Sequence, residues 1–315
     1  MAKKIDEKEV ETKLELTDIP GIGPIAEEKL KAAGYGDVFA IAVATVGELV
    51  EKAEVTENVA KKAIEFAREH SNMGFKDADE FEKMRANVFR INTGSKELNK
   101  LLGGGVESGV ITELAGGFAS GKTQLAHQLA VNCWKDHKGL TVYVDTESTF
   151  RASRIEEMAP DVEDILKKVK IGKAYNSDHQ MLLCEKVEKM ITEEKLPIKM
   201  LIVDSLTAHF RGEFIGRGTL SERQGKLNRH LRFISKLADI HNIVVLVTNQ
   251  VTTDLGVFYG NPDKPIGGHI VGHTSCFRLF LRKGAKGSRV AKLIDGPVPE
   301  GEAAYIITEK GIKDI

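Results

Sequence analysis

Over most of the chain, short unbroken apolar runs alternate with longer stretches in which apolar residues recur at helical spacing. A half-exposed strand alternates apolar and polar residues, and these short runs do not. An unbroken apolar run is typical of a strand buried on both faces. The predicted strands comprise residues 110–115, 141–144, 199–203 and 243–247. The predicted helices comprise residues 124–131, 154–168, 179–194 and 219–241. This alternation predicts an α/β fold, with a mostly parallel sheet covered by helices on both faces.

The pattern changes after Gly272. Three further predicted strands comprise residues 277–282, 289–295 and 303–308. They are linked by glycine-containing turns, which is typical of antiparallel neighbours. We therefore expect an antiparallel C-terminal extension to close a core domain of residues 91–315.

The first 90 residues predict a separate region. Residues 1–15 are rich in charge and without periodicity, so we expect a disordered lead-in. Four helices are predicted at residues 25–33, 37–45, 46–53 and 57–70, the first of them after a Gly-Ile-Gly turn. Residues 71–90 are polar and unpatterned, which indicates a linker. The core is thus preceded by a small all-α domain of residues 16–70.

A glycine-rich segment follows the first predicted strand of the core. Residues 116–123 read Gly-Gly-Phe-Ala-Ser-Gly-Lys-Thr, with two glycines separated by four residues and followed by Lys and Thr. Such a loop surrounds phosphates with backbone N–H groups, while its lysine places a charge near the β- and γ-phosphates. The threonine hydroxyl can bind Mg²⁺. Because the segment lies between a strand and a helix, as this motif requires, it predicts a nucleoside triphosphate site.

Polar side chains follow three of the predicted strands. Glu147 comes after residues 141–144, Asp204 after 199–203 and Gln250 after 243–247. The carboxyl ends of parallel strands meet at one edge of a sheet, which is where ligands bind in such folds. We expect Asp204 to hold Mg²⁺, Glu147 to orient or deprotonate an attacking water, and Gln250 to sense the γ-phosphate.

The composition, with 42% hydrophobic and 29% charged residues, is ordinary for a globular protein of 315 residues. We find no apolar run of 18 residues and a polar N-terminus, so we expect a cytoplasmic protein with no membrane partner. Cys133, Cys184 and Cys276 are widely spaced in apolar surroundings, which favours free buried thiols over disulfides or a metal cluster.

The net charge of −1 conceals an uneven distribution. Residues 1–80 contain 11 Lys and Arg against 18 Asp and Glu, and residues 81–315 contain 34 against 28. The helical region resembles a helix-hairpin-helix domain, whose glycine turn can present amides to a DNA phosphate. It is also acidic, and Ala53-Glu54-Val55 occupies the place where a second hairpin would require a glycine. DNA contact and protein docking therefore both remain open for this domain.

Four core segments, residues 144–151, 201–211, 216–224 and 264–273, are similar to those of the archaeal RadA recombinases, which belong to the RecA superfamily. The similarity runs from about Leu16 to the C-terminus, and its motifs are more specific than the phosphate loop alone. The resemblance implies an ATP-dependent DNA recombinase that forms helical filaments on single-stranded DNA. It also implies homologous pairing and strand exchange with double-stranded DNA in recombinational repair.

The resemblance implies roles at the nucleotide site. Glu147 matches the catalytic glutamate, Gln250 the switch that couples the γ-phosphate to DNA binding, and Arg154 the residue that stacks on adenine. Lys122 is the third expected catalytic residue. The expected nucleotide contacts are Gly116, Gly117, Phe118, Ala119, Ser120, Gly121, Lys122, Thr123, Gln124 and Arg154, and the expected Mg²⁺ ligands are Thr123 and Asp204. ATP and Mg²⁺ are the implied cofactors, and a monovalent cation such as K⁺ is left open.

Two loops are expected to bind DNA. The arginines of and around the first are Arg211, Arg217 and Arg223, whose guanidinium groups suit phosphates. The second falls between residues 251 and 268 and includes Gly267 and Gly268. Because it has one lysine and no arginine, backbone amides and apolar wedges such as Leu255 or Val257 are expected to act there.

The resemblance also implies self-association into filaments or rings and contact with recombination mediator proteins at the nucleoid. Phe75 and Ala78 match a Phe-x-x-Ala motif, in which the aromatic ring enters a pocket of the neighbouring subunit. The cap that covers ATP from the next subunit is expected to include Asp295, Pro299 and His273.

This chain departs from the family pattern at several positions. Ala119 and Ser148 stand where glycine is usual, Ser153 stands where an acid is usual, and the cap has one residue fewer between its two prolines. A positive φ at Ala119 would cost roughly 1 kcal/mol and weaken nucleotide binding several-fold. ATP hydrolysis is therefore expected, at a reduced rate.

Two other functions are compatible with these residues. A helicase or motor of the RecA fold would share the nucleotide site and translocate on DNA, and a recombination paralogue would bind ATP and DNA without exchange. The Phe-x-x-Ala linker and the glycine-flanked arginine loop favour a filament instead.

Overall fold

The computed structural model describes residues 14–71, 77–253 and 262–315. The chain forms two compact units, Met1–Met84 and Arg85–Ile315. The first unit contains the helices α1 Pro24–Ala32, α2 Val38–Ala42, α3 Val46–Ala53, α4 Glu57–His70 and α5 Ala78–Met84. Most of the predicted lead-in lies outside the described residues, but Glu15 already caps a short 3-10 helix, Leu16–Asp18.

Local sequence signals account for the helix ends of the first unit. Pro24 occupies the first turn of α1, where its missing N–H costs nothing. Thr45 and Glu48 form a capping box at the start of α3. Glu54 ends α3 in the left-handed conformation and forms an ion pair with Lys29, with Nζ and Oε2 2.8 Å apart. Glu54 therefore holds the left-handed position after α3 that a glycine would ordinarily take.

The predicted linker is partly helical, since α5 begins at Ala78. Polar side chains at most of its positions hide this helix from a search for apolar periodicity. Ala78 itself is exposed. Phe75 lies outside the described residues.

The second unit contains a nine-stranded sheet with the order β13-β12-β11-β10-β3-β7-β6-β4-β5. These strands are β3 Ile111–Gly116, β4 Leu140–Asp145, β5 Val169–Lys173, β6 Ile198–Asp204, β7 Val244–Asn249, β10 Phe277–Lys283, β11 Arg289–Asp295, β12 Gly301–Thr308 and β13 Gly311–Asp314. Neighbours from β10 to β5 are parallel, and those from β10 to β13 are antiparallel. Two small ribbons pair β1 Arg90–Ile91 with β2 Val106–Glu107 and β8 Val251–Thr253 with β9 Asp263–Pro265. The predicted parallel sheet with an antiparallel extension is confirmed.

Helices cover both faces of this sheet. They are α6 Lys96–Leu101, α7 Lys122–His137, α8 Ala152–Met158, α9 Ser177–Thr192, α10 Ala208–Glu213, α11 Leu220–His241 and α12 Gly268–Thr274. Alternate residues of one strand enter different cores: Ile202 packs with Leu129 of α7, and Leu201 with Leu231 of α11. This alternation explains why the central strands read as unbroken apolar runs.

The prediction of one helix over residues 154–168 is wrong. Helix α8 ends at Met158, a 3-10 helix follows at Ile165–Lys168, and β5 begins at Val169. Pro160 disfavours helical backbone at Ala159, whose φ and ψ are −139° and 54°. Strand β5 escaped prediction because it lies at the sheet edge and only Val169 is buried.

Within the described ranges, none of the helices is both long and apolar enough to span a lipid bilayer. The three cysteines are free thiols. Cys133 and Cys184 are buried, as predicted, and burial raises the pKa of the Cys133 thiol to about 12. Cys276 is only partly buried, because it lies just before β10 near the surface of the sheet.

A buried histidine on α11 makes the fold sensitive to acid. The ring of His230 stacks on Phe210, and its Nε2 lies 3.2 Å from Nε2 of Gln180. Burial lowers the pKa of His230 from 6.5 to about 4. The unfolded chain therefore takes up this proton at a higher pH than the folded chain does. Stability is full above pH 6.5 and falls by about 2 to 3 kcal/mol as the pH decreases toward 4.

We expect the free energy of unfolding of His230→Gln to depend less on pH between 7 and 4.5 than that of the wild type. Urea unfolding at a series of pH values measures this. His70→Gln, at an exposed position of α4, is the matched control and should keep the wild-type pH dependence. Equal slopes for wild type and His230→Gln would show that other groups cause the acid sensitivity.

Candidate nucleotide and DNA site

The phosphate-binding loop joins β3 to α7. Gly116 packs so closely that a Cβ there would lie 2.4 Å from the carbonyl oxygen of Leu281. Gly121 caps α7 with φ +106°, a conformation that favours glycine. No side chain caps this helix and its first turn contains no acid. The amides of the α7 N-terminus are thus available to an anion.

A cavity of about 750 Å³ lies beside this loop. It is lined by all nine predicted loop residues, Gly116, Gly117, Phe118, Ala119, Ser120, Gly121, Lys122, Thr123 and Gln124. Glu147, Asp204 and Gln250 line the same cavity. Residues from four separate parts of the chain therefore meet where the sequence predicted, and the volume suits a nucleotide-sized ligand.

Lys122 is held inside the loop. Its ammonium group donates to the carbonyl oxygens of Gly116, at 2.7 Å, and Gly117, at 3.0 Å. Burial lowers the pKa of Lys122, and the nearby carboxylates of Asp204 and Glu147 oppose part of that shift. The lysine is thus a partly desolvated cation at the N-terminus of α7. A phosphate group would be attracted there more strongly than to a fully hydrated lysine.

Asp204 is oriented by three hydroxyl groups. Its Oδ2 accepts from Thr123 Oγ1 at 2.9 Å and from the Tyr143 hydroxyl at 2.6 Å, and its Oδ1 accepts from Thr248 Oγ1. Burial and the adjacent carboxylate raise the pKa of Tyr143 well above its ordinary value, so the phenol remains a donor. One carboxylate beside one threonine hydroxyl fits Mg²⁺ that takes its other ligands from phosphate oxygens and water.

Glu147 lies on a loop that folds around one carboxylate. Asp145 Oδ1 accepts from the amides of Glu147 and Thr149, each at 3.2 Å, and Oδ2 accepts from the Phe150 amide at 3.1 Å. The Glu147 side chain accepts from Gln250 Nε2, with Oε1 at 2.7 Å. The predicted base and the predicted sensor are thus in direct contact at the cavity wall.

His127 fixes the same loop to α7. Its Nδ1 lies 2.6 Å from the carbonyl oxygen of Thr123, and its Nε2 accepts from the amide of Arg151 at 3.2 Å. These two contacts require the neutral ring with the proton on Nδ1. Burial lowers the pKa of His127, which maintains this neutral form.

Arg154 lies beside the cavity rather than among the residues that line it. Its Nε donates to Oε1 of Gln124 at 2.8 Å, and its terminal nitrogens donate to the carbonyl oxygens of Thr308 and Glu309 at 2.5 and 2.6 Å. The guanidinium group is therefore oriented by the phosphate-loop helix and the end of β12.

The two positions where the family has glycine have left-handed backbone. Ala119 and Ser148 both have φ +59°. An L-residue with a Cβ is disfavoured in this region by about 1 kcal/mol. Ala119 therefore has the positive φ on which its predicted strain depends. Ser148 has the same unfavourable conformation next to Glu147.

The predicted DNA-binding residues lie on a second surface. Arg211 of α10, Arg223 of α11 and Gly267, directly before α12, line one small depression. Gly268 is the first residue of α12. The backbone of Arg217 forms a short 3-10 helix, but its side chain lies outside the described residues, as do Leu255 and Val257. Two of the three predicted arginines thus share a surface with the end of the second loop.

The predicted cap residues are apart from the cavity of their own chain. His273 lies on α12 and its ring stacks on His269 at 5.7 Å. Asp295 ends β11 opposite Arg278, and Pro299 lies in the turn before β12. A role in covering nucleotide would therefore have to act on a neighbouring subunit.

Several residues at the site were not predicted. Asp145, Tyr143 and Thr248 orient the residues at this edge of the sheet, and Arg289 and Ile307 of the antiparallel extension line the cavity. Arg289 Nε is buried without a partner in the described part of the chain. Asp145 could have been found from the sequence as a carboxylate at a strand end. The roles of the other four residues depend on which strands are neighbours in the sheet.

Comparison with known proteins gives two family matches. Residues 84–315 match the Rad51 family model, and residues 13–69 match a model described as a SAM-like helix-hairpin-helix tandem. The chain is 48% identical to the DNA repair and recombination protein RadA of Methanococcus voltae, in an alignment that covers 95% of this chain and 99% of the relative. It is 44% identical to the protein of the same name from Methanoculleus marisnigri, over 96% of this chain and 99% of the relative.

Proposed function

Because the chain belongs to the Rad51 family, which includes the archaeal RadA proteins, we propose that it is an ATP-dependent DNA recombinase of recombinational repair. It would coat single-stranded DNA as a helical filament and exchange that strand with a homologous duplex at the nucleoid of the cytoplasm. The observation that carries this proposal is the convergence of Lys122, Glu147 and Gln250 on one cavity.

The arrangement of side chains supports ATP hydrolysis. Lys122 would bind the β- and γ-phosphates, and Thr123 and Asp204 would hold Mg²⁺, which neutralises charge on the phosphates when bound. Glu147 would orient and deprotonate the attacking water, because it faces the cavity and is itself oriented by Gln250. A γ-phosphate that attracted the Gln250 side chain would compete for its hydrogen bond with Glu147. Nucleotide binding would then change the position of Gln250, the residue directly after β7.

The arginine-lined depression supports DNA binding. Arg211 and Arg223 would bind phosphates of the strand, with Arg217 of the same loop, and Gly267 and Gly268 would let the backbone approach it. We propose that residues 16–70 act as a helix-hairpin-helix domain that docks partner proteins such as mediators, because the ion pair of Glu54 with Lys29 neutralises a lysine of α1, the helix that follows the glycine turn.

Self-association would depend on the predicted linker, residues 71–90. We propose that Phe75 inserts into a neighbouring subunit and that Ala78 fits beside it. Nucleotide bound at the junction would then be covered by Asp295, Pro299 and His273 of the next subunit. Phe75→Glu should therefore convert an assembly into monomers, as measured by light scattering.

A strand-exchange assay with a labelled single strand and its homologous duplex tests the function directly. We expect exchange with ATP and Mg²⁺ and none without nucleotide. Directional unwinding of a duplex would instead identify a helicase or motor, and binding of ATP and DNA without exchange would identify a paralogue. A chain that stays monomeric with ATP and DNA would contradict the filament.

Ala119→Gly tests the cost of the left-handed residue in the phosphate loop. We expect it to tighten nucleotide binding about threefold to fivefold, because glycine removes roughly 1 kcal/mol of strain from the bound loop. Titration with a fluorescent ATP analogue measures the Kd. An unchanged Kd together with a higher free energy of unfolding would show that the loop keeps this strain with and without nucleotide.

A further inference from the structure

The last residues of β7 and the residue after it face two different surfaces. Thr248 donates to Asp204 and Gln250 donates to Glu147, so both side chains belong to the nucleotide site. Side chains alternate across a strand, which directs Asn249 to the opposite face. Asn249 is fully buried there.

Asn249 contacts both segments that lead to the predicted DNA loops. Its Nδ2 donates to the carbonyl oxygen of Ile266, at 2.6 Å, at the end of the second loop. Its Oδ1 accepts from Thr207 Oγ1, at 2.8 Å, directly before α10 and the first loop. One amide thus joins two segments that are far apart in the sequence.

A buried ion pair keeps this amide in place. The second hydrogen of Asn249 Nδ2 is donated to Glu113 Oε1 at 2.7 Å, and Glu113 Oε2 accepts from Arg278 Nε at 2.6 Å. Glu113 is fully buried on β3, and the Arg278 side chain is largely buried. Since every polar atom of the Asn249 side chain has a partner, rotation of this side chain would leave buried groups unsatisfied.

Ile266 is held at both ends of its backbone. Its carbonyl oxygen accepts from Asn249, and its amide donates to the carbonyl oxygen of Gln250 at 3.0 Å. The β8–β9 ribbon connects the same two segments, with Val251 opposite Pro265. The main chain of Gln250 is therefore joined directly to the residue that precedes Gly267.

Two of the three hydrogen-bond partners of Asn249 also lie at the surface predicted to bind DNA. Thr207 and Ile266 both line the depression that contains Arg211 and Arg223. Two hydrogen bonds of Asn249 therefore end at residues that line the same small depression as the two predicted DNA-binding arginines. A change in its position would alter the spacing between the two loops.

We propose that Asn249 is a positioning residue that couples the nucleotide site to the DNA-binding loops. This inference rests on the proposed function, in which ATP raises the affinity for single-stranded DNA. Gln250 senses the nucleotide on one face of β7, and Asn249 moves Thr207 and Ile266 on the other. The chain thereby uses the alternation of a single strand to connect two surfaces.

The experiment measures the affinity of a labelled single-stranded oligonucleotide by fluorescence anisotropy, with a non-hydrolysable ATP analogue and with ADP. The ratio of the two Kd values is the coupling. Asn249→Leu keeps the shape of the side chain and removes its three hydrogen bonds. We expect the coupling to fall at least about fivefold, while the Kd for the ATP analogue stays within about twofold of wild type.

Thr207→Val removes only the hydrogen bond toward the first loop, and we expect it to lower the coupling partially. Asn132→Leu is the matched control, because it removes a buried amide of α7 that donates to the carbonyl oxygen of Asn92. This control should keep the wild-type coupling. If Asn249→Leu does not fold, the result for Thr207→Val decides.

Wild-type coupling in folded Asn249→Leu and in Thr207→Val would overturn the inference and leave the proposed function standing. An equal loss of affinity with the ATP analogue and with ADP, together with a lower Tm, would also overturn it, because it would indicate support of the fold alone. A wild type whose DNA affinity is the same with both nucleotides would overturn the proposed function, and this inference with it.

Discussion

Replacing Glu147 with glutamine is expected to lower the rate of ATP hydrolysis roughly a thousandfold, because an amide cannot accept a proton from the attacking water. The substitution keeps the shape of the side chain. An amide oxygen can still accept the hydrogen bond from Gln250 Nε2, which is 2.7 Å long in the wild type. The loss should therefore appear in turnover, measured as phosphate release with and without single-stranded DNA.

Nucleotide affinity separates this loss from a distorted cavity. Since Asp145 and His127 hold the loop through backbone contacts, Glu147→Gln should bind the ATP analogue with a Kd within about twofold of wild type. It should also retain ATP-dependent DNA binding, because no step of that response requires hydrolysis. Turnover within about tenfold of wild type would show that another group is the base.

A second comparison uses the sensor. Gln250→Leu leaves the carboxylate of Glu147 in place but removes the amide that orients it, so we expect a smaller fall in turnover than for Glu147→Gln. Because Gln250 is also proposed to report the nucleotide to the loops, its loss should reduce the coupling to DNA. Glu147→Gln should therefore lose mainly ATP turnover, whereas Gln250→Leu should lose mainly the coupling between nucleotide and DNA binding.

The residues at the cavity edge of the sheet were predictable because the residue types and their spacing form local sequence patterns. Gly116 and Gly121 are needed by the backbone of one turn, and each carboxylate or amide comes within three residues of the end of an apolar run. Parallel strands place such ends along one edge of the sheet, and β4, β6 and β7 are neighbours there. Asp204 and Glu147 could therefore be placed in one cavity from strand ends alone.

The support behind that edge was not predictable in the same way. Glu113 lies within an apolar run, and its role depends on β7 and β10 being its neighbours on either side. Tyr143 reads as an ordinary apolar residue until its hydroxyl meets Asp204. Asn249 stands next to the predicted sensor, but only the sheet shows that it faces away from it.

Weak local signals explain the errors in secondary structure. Edge strand β5 has one buried residue, so its stability comes from pairing with β4 rather than from its own pattern. Helix α5 is only seven residues long and has charged side chains at four of them, so its apolar pattern is too short to predict a helix. In both cases tertiary context overrides the periodicity on which the prediction depends.

Lys122→Ala is expected to weaken ATP binding by about 4 kcal/mol, or roughly a thousandfold, because it removes a partly desolvated charge that faces the phosphates. The ammonium group donates to Gly116 and Gly117, so its loss also releases two loop carbonyl groups. Titration with a fluorescent ATP analogue measures the Kd, and Tm reports the cost to the loop. Lys122→Arg, which keeps the charge on a wider group, should lie between alanine and wild type.

The pH dependence of ATP affinity tests whether the positive charge of Lys122 causes the expected loss of binding in Lys122→Ala. Because burial lowers the pKa of Lys122, its ammonium form is lost at a lower pH than that of an exposed lysine. The affinity of the wild type for ATP should therefore decline as the pH rises toward that pKa. Lys122→Ala has no such group, so its weak affinity should be unchanged over the same range. Parallel declines in both proteins would assign the effect to another residue and would contradict the role of Lys122 as the principal phosphate-binding charge.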